Sequence, residues 1–199
     1  EDIDYFYMWD DSQFSVGPGG GIAVYLLQTG KTSTSNNVIN IDGANLNEGI
    51  LVTNKIYLCD ATDSIGEINI SGGTLQGGER AYLAQDENTT GYLNISGGEL
   101  SIYDRSYFGD RGTMYVNQTG GACKPSYGAS TFRVGYGSTA WCEYNISGGE
   151  LISTAGMRFN NGIFKVVGDD AVIQLGDLSV GDGDATFMFV IDGNDLSTI

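Results

Sequence analysis

Histidine is absent from this chain of 199 residues, proline occurs only twice and cysteine only three times. The absence of histidine excludes Ser-His-Asp triads, histidine general bases and histidine metal ligands. Basic residues are also scarce: the chain has nine Lys and Arg and 25 Asp and Glu, which give a formal net charge of −16. Common nucleic-acid-binding proteins need a basic surface, so we expect no nucleic-acid partner.

Long apolar runs are missing too, because the longest, Ile22 to Leu27, is far shorter than the roughly 18 residues of a membrane span. We therefore expect no membrane span. The chain begins at Glu1 without a basic or signal-like segment, and we expect that a leader was removed or not included. An acidic chain rich in Gly, Ser, Thr and Asn indicates an extracellular or cell-surface location.

Glycine, in contrast, is abundant at 31 residues, which disfavours helices and favours turns. Many glycines belong to a repeated motif that contains Asn and ends in Gly-Gly. Its four clear copies recur at intervals of 25, 23 and 28 residues and are Glu67–Gly73, Tyr92–Gly98, Tyr115–Gly121 and Glu143–Gly149. We interpret Leu27–Gly30 as an earlier, degenerate copy and Lys165–Asp170 as a later one.

Two further columns share this period. One is spaced by 25, 25, 26, 25 and 21 residues and consists of Tyr57-Leu58, Tyr82-Leu83, Tyr107-Phe108, Arg133-Val134, Arg158-Phe159 and Ser179-Val180. The other follows each Gly-Gly and consists of Thr74-Leu75, Glu99-Leu100, Ala122-Cys123 and Glu150-Leu151. Each repeat therefore contains about three short strands of alternating character separated by glycine turns.

This pattern predicts an all-β fold, a single β-solenoid (right-handed parallel β-helix) of about seven coils with a period of about 25 residues. A two-sheet antiparallel sandwich is the alternative. We assign residues 18–199 to the solenoid and residues 1–17 to an N-terminal segment that acts as a cap or inter-subunit strand. The predicted core includes Leu83, Ile95, Leu100, Phe108, Ile146 and Leu151.

The motifs Asn94-Ile-Ser-Gly-Gly-Glu-Leu100, Asn117-Gln-Thr-Gly-Gly121 and Asn145-Ile-Ser-Gly-Gly-Glu-Leu151 resemble the repeats of secreted bacterial surface proteins. These include β-helices similar to autotransporter passenger domains. The resemblance covers roughly residues 18–199. It implies a surface or extracellular location and a role in adhesion or scaffolding.

Four asparagines fall in one column, Asn69, Asn94, Asn117 and Asn145, and predict a ladder of side-chain amides along the stack. All four are also N-glycosylation sequons, as is Asn88. The ladder explains the first four matches, whereas Asn88 lies outside the column in a polar turn. Asn88 is therefore the candidate for glycosylation with the fewest competing explanations.

A second column predicts an outward strip made of Tyr57, Tyr82, Tyr107, Arg133 and Arg158. One interpretation is ordinary cross-strand pairing on the surface, with ring stacking that continues into cation–π contacts. The other is a flat aromatic strip that contacts a glycan or another subunit. The sequence leaves both open.

Carboxylates recur after this column at Asp60, Asp86, Asp110 and Asp182. A residue that the repeat itself generates indicates turn chemistry rather than an active site, so we expect no catalytic residues. Asp169-Asp170 and Asp182-Gly-Asp184 could supply oxygen ligands to calcium but match no calcium loop. We expect no cofactor, with calcium as the alternative.

The cysteines are Cys59, Cys123 and Cys142. They show no recognised metal-ligand spacing and allow at most one internal disulfide. Cys123 occupies the inward leucine column, where a small buried apolar residue is expected. A Cys123–Cys142 disulfide is the alternative.

The end segments are aromatic and apolar, and we interpret them as assembly surfaces: Tyr5, Phe6, Tyr7, Trp9, Phe187, Phe189 and Ile191. The leading hypothesis is a non-enzymatic extracellular structural protein that associates with itself as a filament, stalk or adhesin subunit. The alternatives are a carbohydrate-binding module that uses the Tyr/Arg strip and a polysaccharide-degrading β-helix. Expected partners are copies of the chain itself and glycans.

Overall fold

The computed structural model describes residues 3–43, 49–128 and 130–190. Within these ranges the chain forms 18 β-strands and no helix. The strands are β1 (Ile3–Tyr7), β2 (Ser12–Val16), β3 (Gly21–Gln28), β4 (Asn36–Ile41), β5 (Ile50–Leu58), β6 (Ile65–Ile70), β7 (Thr74–Leu83), β8 (Thr90–Ile95), β9 (Glu99–Ile102), β10 (Arg105–Phe108), β11 (Thr113–Lys124), β12 (Phe132–Val134), β13 (Trp141–Ser153), β14 (Met157–Phe159), β15 (Gly162–Val167), β16 (Ala171–Leu175), β17 (Leu178–Val180) and β18 (Ala185–Val190).

Every strand pairing in the described part of the chain is parallel. Partner strands lie about 25 residues apart, as in Tyr57 with Tyr82 and Ile70 with Ile95. The fold is therefore a parallel β-solenoid of about seven turns, and the prediction of a β-helix is confirmed. The antiparallel sandwich is wrong, because hairpins would place sequence neighbours side by side in opposite directions.

The solenoid has three faces, which we name after their outward or inward residues. The asparagine face consists of β2, β4, β6, β8, the first parts of β11 and β13, β15 and β18. The leucine face consists of the first parts of β3, β5 and β7, then β9, the last parts of β11 and β13, and β16. The tyrosine face consists of β1, the last parts of β3, β5 and β7, then β10, β12, β14 and β17.

The first strands belong to these same ladders. β1 pairs with β3 and β2 pairs with β4, so the segment 1–17 contributes the first coil in its described part. The motif copy at Leu27–Gly30 is wrong, because Gln28 pairs with Tyr57 on the tyrosine face. Asn40 instead occupies the asparagine position of that coil, in register with Asn69.

Apolar side chains fill the interior in continuous columns along the axis. All six predicted core residues are buried: Leu83, Ile95, Leu100, Phe108, Ile146 and Leu151. Cys123 lies between Leu100 and Leu151 in the leucine column, as expected. A single coil cannot bury such side chains by itself, so the stack of coils supplies the hydrophobic stabilisation.

One core column contains a polar side chain. Gln118 is buried where neighbouring coils place Ile95 and Ile146. The Tyr144 hydroxyl donates to Gln118 Oε1 at 2.8 Å, and Gln118 Nε2 donates to the Glu150 carbonyl at 2.9 Å. The buried amide is thus hydrogen-bonded at both ends, which offsets the cost of removing it from water.

The Gly-Gly pairs form the corner between the asparagine and leucine faces. Gly98 has a φ of +64°, in the left-handed region that glycine tolerates best. A Cβ at Gly98 would also lie 2.6 Å from the backbone of Gly72 in the preceding coil. The corner therefore needs glycine both for its backbone conformation and for the close approach of stacked coils.

Candidate interaction surfaces

The last described coil leaves the core open. Leu178 and Val180 continue two inward columns of the tyrosine face, directly on Met157 and Phe159. Met157 and Phe159 are 1% and 0% exposed, whereas Leu178 and Val180 are 48% and 60% exposed. The last described coil thus presents apolar side chains that no described strand covers.

The backbone edges of both end coils are also unpaired in the described residues. At one end, β1 pairs only with β3 and β2 only with β4. At the other end, β16, β17 and β18 pair only with β13, β14 and β15 respectively. Such edges present free N–H and C=O groups that can accept another strand.

The aromatic residues of the first coil alternate between surface and core. Tyr5, Tyr7 and Trp9 are exposed, and the Tyr5 and Tyr7 ring centroids lie 5.9 Å apart in a stacked arrangement. Phe6 is half-buried and packs on Phe14 at 4.7 Å. The exposed aromatic surface predicted here therefore consists of three residues, while Phe6 belongs to the core.

The predicted surface at the opposite end differs in its residues. Phe187 is half-buried, because its ring packs on Phe159 at 5.2 Å and on Phe164 at 6.0 Å. The side chain of Phe189 and the whole of Ile191 lie outside the described residues. Leu178 and Val180, which the sequence analysis did not select for this role, form the exposed apolar surface instead.

The tyrosine face carries the outward file that the sequence predicted. Tyr57, Tyr82 and Tyr107 are in register on neighbouring coils, and Arg133 and Arg158 continue the file. The Tyr82 and Tyr107 rings are stacked, with centroids 4.7 Å apart and an angle of 13°. Their faces cover each other, so this part of the file presents ring edges and is not a flat aromatic platform.

Arg133 makes the cation–π contacts that the file suggested. Its guanidinium lies 5.5 Å from the Tyr107 ring centroid and 4.6 Å from that of Tyr136. Tyr136 is exposed and meets Tyr107 edge to face at 5.3 Å. Arg158 is exposed in the coil beyond Arg133.

A groove runs beside this file along the corner that follows the tyrosine face. Its first part has a volume of about 380 Å³ and is lined by Tyr57, Arg80, Tyr82, Gln85, Asp110 and Arg111. Its second part, of about 340 Å³, shares Asp110 and Arg111 and continues to Tyr136, Ser138 and Thr139. The shared residues make the two parts neighbours on one surface that crosses several coils.

Polar groups in the groove are only partly satisfied by the protein. Gln85 Nε2 donates to Asp60 Oδ1 at 2.8 Å, but the buried Gln85 Oε1 has no hydrogen-bond partner among the described residues. Burial raises the pKa of the Asp110 carboxyl, while the nearby Arg111 lowers it. The groove thus presents two carboxyl groups, Asp110 and Glu87, and two guanidinium groups, Arg80 and Arg111, to a ligand.

The recurring corner aspartates make ion pairs across coils. Asp60 Oδ2 lies 3.2 Å from Lys31 Nζ, and Asp86 Oδ1 lies 3.6 Å from Arg111. Asp169, Asp170, Asp182 and Asp184 are exposed. Within residues 3–43, 49–128 and 130–190, no group of three or more Cys, Asp or Glu side chains is placed to hold a metal ion.

The asparagine column lies in one file on the asparagine face. Nδ2 of Asn69, Asn94 and Asn117 donates to Oδ1 of the preceding member at 3.0, 2.8 and 3.2 Å respectively, with Asn40 as the first acceptor. Asn145 is in register with Asn117, but its amide donates to Glu143 at 3.0 Å. Asn88 lies on an exposed turn outside the file, with a φ of +59°.

The three cysteines are buried and free. The structure thus does not contain the alternative Cys123–Cys142 disulfide. Burial raises the pKa of Cys59 and Cys123 to about 12, and raises that of Cys142 further. These thiols therefore stay protonated and unreactive in the folded chain.

The sequence analysis missed the second cationic file of the tyrosine face. Lys55, Arg80 and Arg105 are in register, each two residues before a tyrosine of the first file. The signal was present in the sequence as Lys55-Ile-Tyr, Arg80-Ala-Tyr and Arg105-Ser-Tyr at the repeat spacing. Gln85, Arg111 and Tyr136 carried no such signal, because they lie in turns where copies differ.

Comparisons with protein families, curated proteins and solved structures found no match to this chain. In the part of the chain that the structure describes, no helix is long and apolar enough to cross a membrane.

Proposed function

We propose that this chain is a non-enzymatic structural protein of the cell exterior that associates with itself head to tail. The observation that carries the proposal is the exposure of Leu178 and Val180 at core positions of the last described coil. Each side chain is about half exposed, so covering it contributes about half of the roughly 1.5 to 3 kcal/mol that full burial provides. A second copy that stacks its first coil here would bury both.

The repeat supports a second copy as the occupant. Each coil already stacks on a coil of the same chain by parallel pairing, as β2 does on β4 and β18 does on β15. The outer edge of one end therefore has the hydrogen-bond spacing that the edge at the other end requires. Stacking of copies continues the ladders and introduces no new type of contact.

Charge sets the conditions for this association. Five acidic residues and no basic residue precede Lys31, and seven acidic residues and no basic residue follow Lys165. The two ends thus repel each other at low ionic strength, and added salt screens the repulsion. We expect polymers whose mean length rises from low to moderate salt.

A matched pair of variants tests this mode of association. Val180→Asp places a charge on the open core, whereas Val172→Asp places it on an outward position of β16 that is 43% exposed. We expect Val180→Asp to be monomeric in sedimentation velocity, and Val172→Asp to polymerise like the parent chain. In dilute, low-salt solution, where the parent chain is monomeric, both should melt near the parent temperature, because neither valine is buried within one copy.

Two results would overturn the proposal. One is a parent chain that stays monomeric at high concentration and moderate salt. The other is an equal loss of polymer in Val180→Asp and Val172→Asp, since this would show that added charge acts without regard to the open core.

A further inference from the structure

The cations of this acidic protein are concentrated on one surface. All five arginines lie on the tyrosine face or on the corner that follows it. Lys55 lies on the same face, and Lys31 lies at the equivalent corner of an earlier coil. Of the nine basic residues, Lys124 lies on the leucine face and Lys165 on the asparagine face, and the other seven share this surface.

Two of these arginines have no carboxylate partner. The described ion pairs include Arg80 with Glu79, Arg105 with Asp104 and Arg111 with Asp86. Arg133 and Arg158 form no ion pair with any described residue, although carboxylates are in large excess. They are in register on adjacent coils, which places them about 4.8 Å apart along the axis.

The surroundings of these arginines fit a sugar chain. Tyr136, which contacts Arg133, is exposed and lines the same groove as Ser138 and Thr139. Further along, the same surface is lined by Tyr57, Tyr82 and Gln85. Aromatic rings and small polar groups along an open groove are a common arrangement for weakly amphipathic ligands.

From these observations we propose that the groove and arginine file of the tyrosine face bind an anionic polysaccharide lying along the solenoid axis. The acidic groups of the sugar chain pair with Arg133 and Arg158, and its rings lie against Tyr136 and the neighbouring groove. Guanidinium groups bind carboxylate and sulfate through two parallel hydrogen bonds, which suits ligands of both types. This inference does not depend on self-association.

Isothermal titration calorimetry with four polymers tests the ligand class. The probes are polygalacturonate, which carries carboxylates, dextran sulfate, neutral dextran and single-stranded DNA. We expect binding of polygalacturonate, dextran sulfate or both, weakened by salt, and the stronger of the two identifies the acidic group. Binding of neutral dextran with equal affinity would overturn the role of charge, and equal or stronger binding of DNA would overturn the assignment to a polysaccharide.

A matched set of variants tests the location. Arg133→Gln combined with Arg158→Gln should weaken binding of the stronger anionic polymer at least about tenfold, because charge-assisted hydrogen bonds are lost. The control combines Lys165→Gln, on the asparagine face, with Lys124→Gln, on the leucine face, and removes the same charge. Its affinity should stay within about twofold of the parent.

The Val180→Asp variant serves as the background for all titrations, so that each probe meets a chain whose end coil is blocked. Equal weakening in the arginine and lysine double variants would overturn the location, and so would no binding of either anionic polymer. A polymerisation test that fails while this titration succeeds would reject only the proposed self-association.

Discussion

The buried pair Gln118 and Tyr144 allows a quantitative test of how a polar group is held in the solenoid core. The Tyr144 hydroxyl donates to Gln118 Oε1 at 2.8 Å, and both side chains are fully enclosed. Tyr144→Phe removes the donor and leaves the amide oxygen without it. An unsatisfied buried group costs about 1 to 3 kcal/mol.

Gln118→Ile introduces isoleucine, the residue that both adjacent coils have at this position as Ile95 and Ile146. This change leaves the Tyr144 hydroxyl with only the Cys123 sulfur, a weak acceptor, so we expect a similar cost of about 1 to 3 kcal/mol. The double variant has neither polar group and places Phe where the next coil has Phe164. We therefore expect its stability to return to within about 1 kcal/mol of the parent.

Thermal unfolding followed by circular dichroism measures this cycle. For a chain of this size, 1 kcal/mol corresponds to about 2 to 4 °C, so each single variant should melt about 2 to 12 °C lower. The double variant should recover most of that loss. If its loss equals the sum of the two single losses, the two side chains are not coupled and the reasoning is refuted.

Three further predictions concern the core, the thiols and one carboxyl group. Ile95→Asp places an unpaired charge in the buried core, so the stack should unfold or melt far lower; a soluble variant with an unchanged melting temperature would contradict the predicted core. The pKa values of Cys59 and Cys123 are raised to about 12, so a thiol reagent at about pH 8 should label the protein only after unfolding by guanidinium, whereas labelling of the folded chain would contradict their burial. Burial raises the pKa of Asp110, so the folded chain binds more protons there, and stability falls as pH rises through the window between the unfolded pKa near 3.9 and the raised folded value. Asp110→Asn should therefore melt higher than the parent at neutral pH but equally at about pH 3, and an equal difference at both pH values would contradict this.

Much of the fold could be predicted because the repeat appears in the sequence itself. Columns at one spacing, such as Tyr57, Tyr82 and Tyr107, must be in register once coils stack, and the alternation of apolar residues decides which side chains point inward. The glycine pairs marked the corners for the same reason. The prediction failed at Leu27–Gly30, where a short similarity in sequence was mistaken for a copy of the motif. Asn40 occupies the asparagine position of that coil, in register with Asn69.

The interaction surfaces were predictable only in part. The tyrosine and arginine file followed from the period, but its ring stacking did not, because it depends on side-chain rotamers across coils. Of the end residues chosen from the sequence, Phe6 and Phe187 are half-buried against neighbouring rings. Apolar character alone cannot distinguish an exposed end residue from a core residue.

The sequence by itself determined the architecture of this protein. A period of about 25 residues with alternating strands and glycine corners can bury its inward side chains only if successive coils stack. Only the tertiary structure decided which surfaces are available for binding. Val180 looks like its buried neighbours in the column, and it is exposed because no described coil lies beyond it. The groove between Gln85 and Tyr136 likewise arises from turns of different coils, whose side chains converge through stacking and share no spacing that a sequence pattern could reveal.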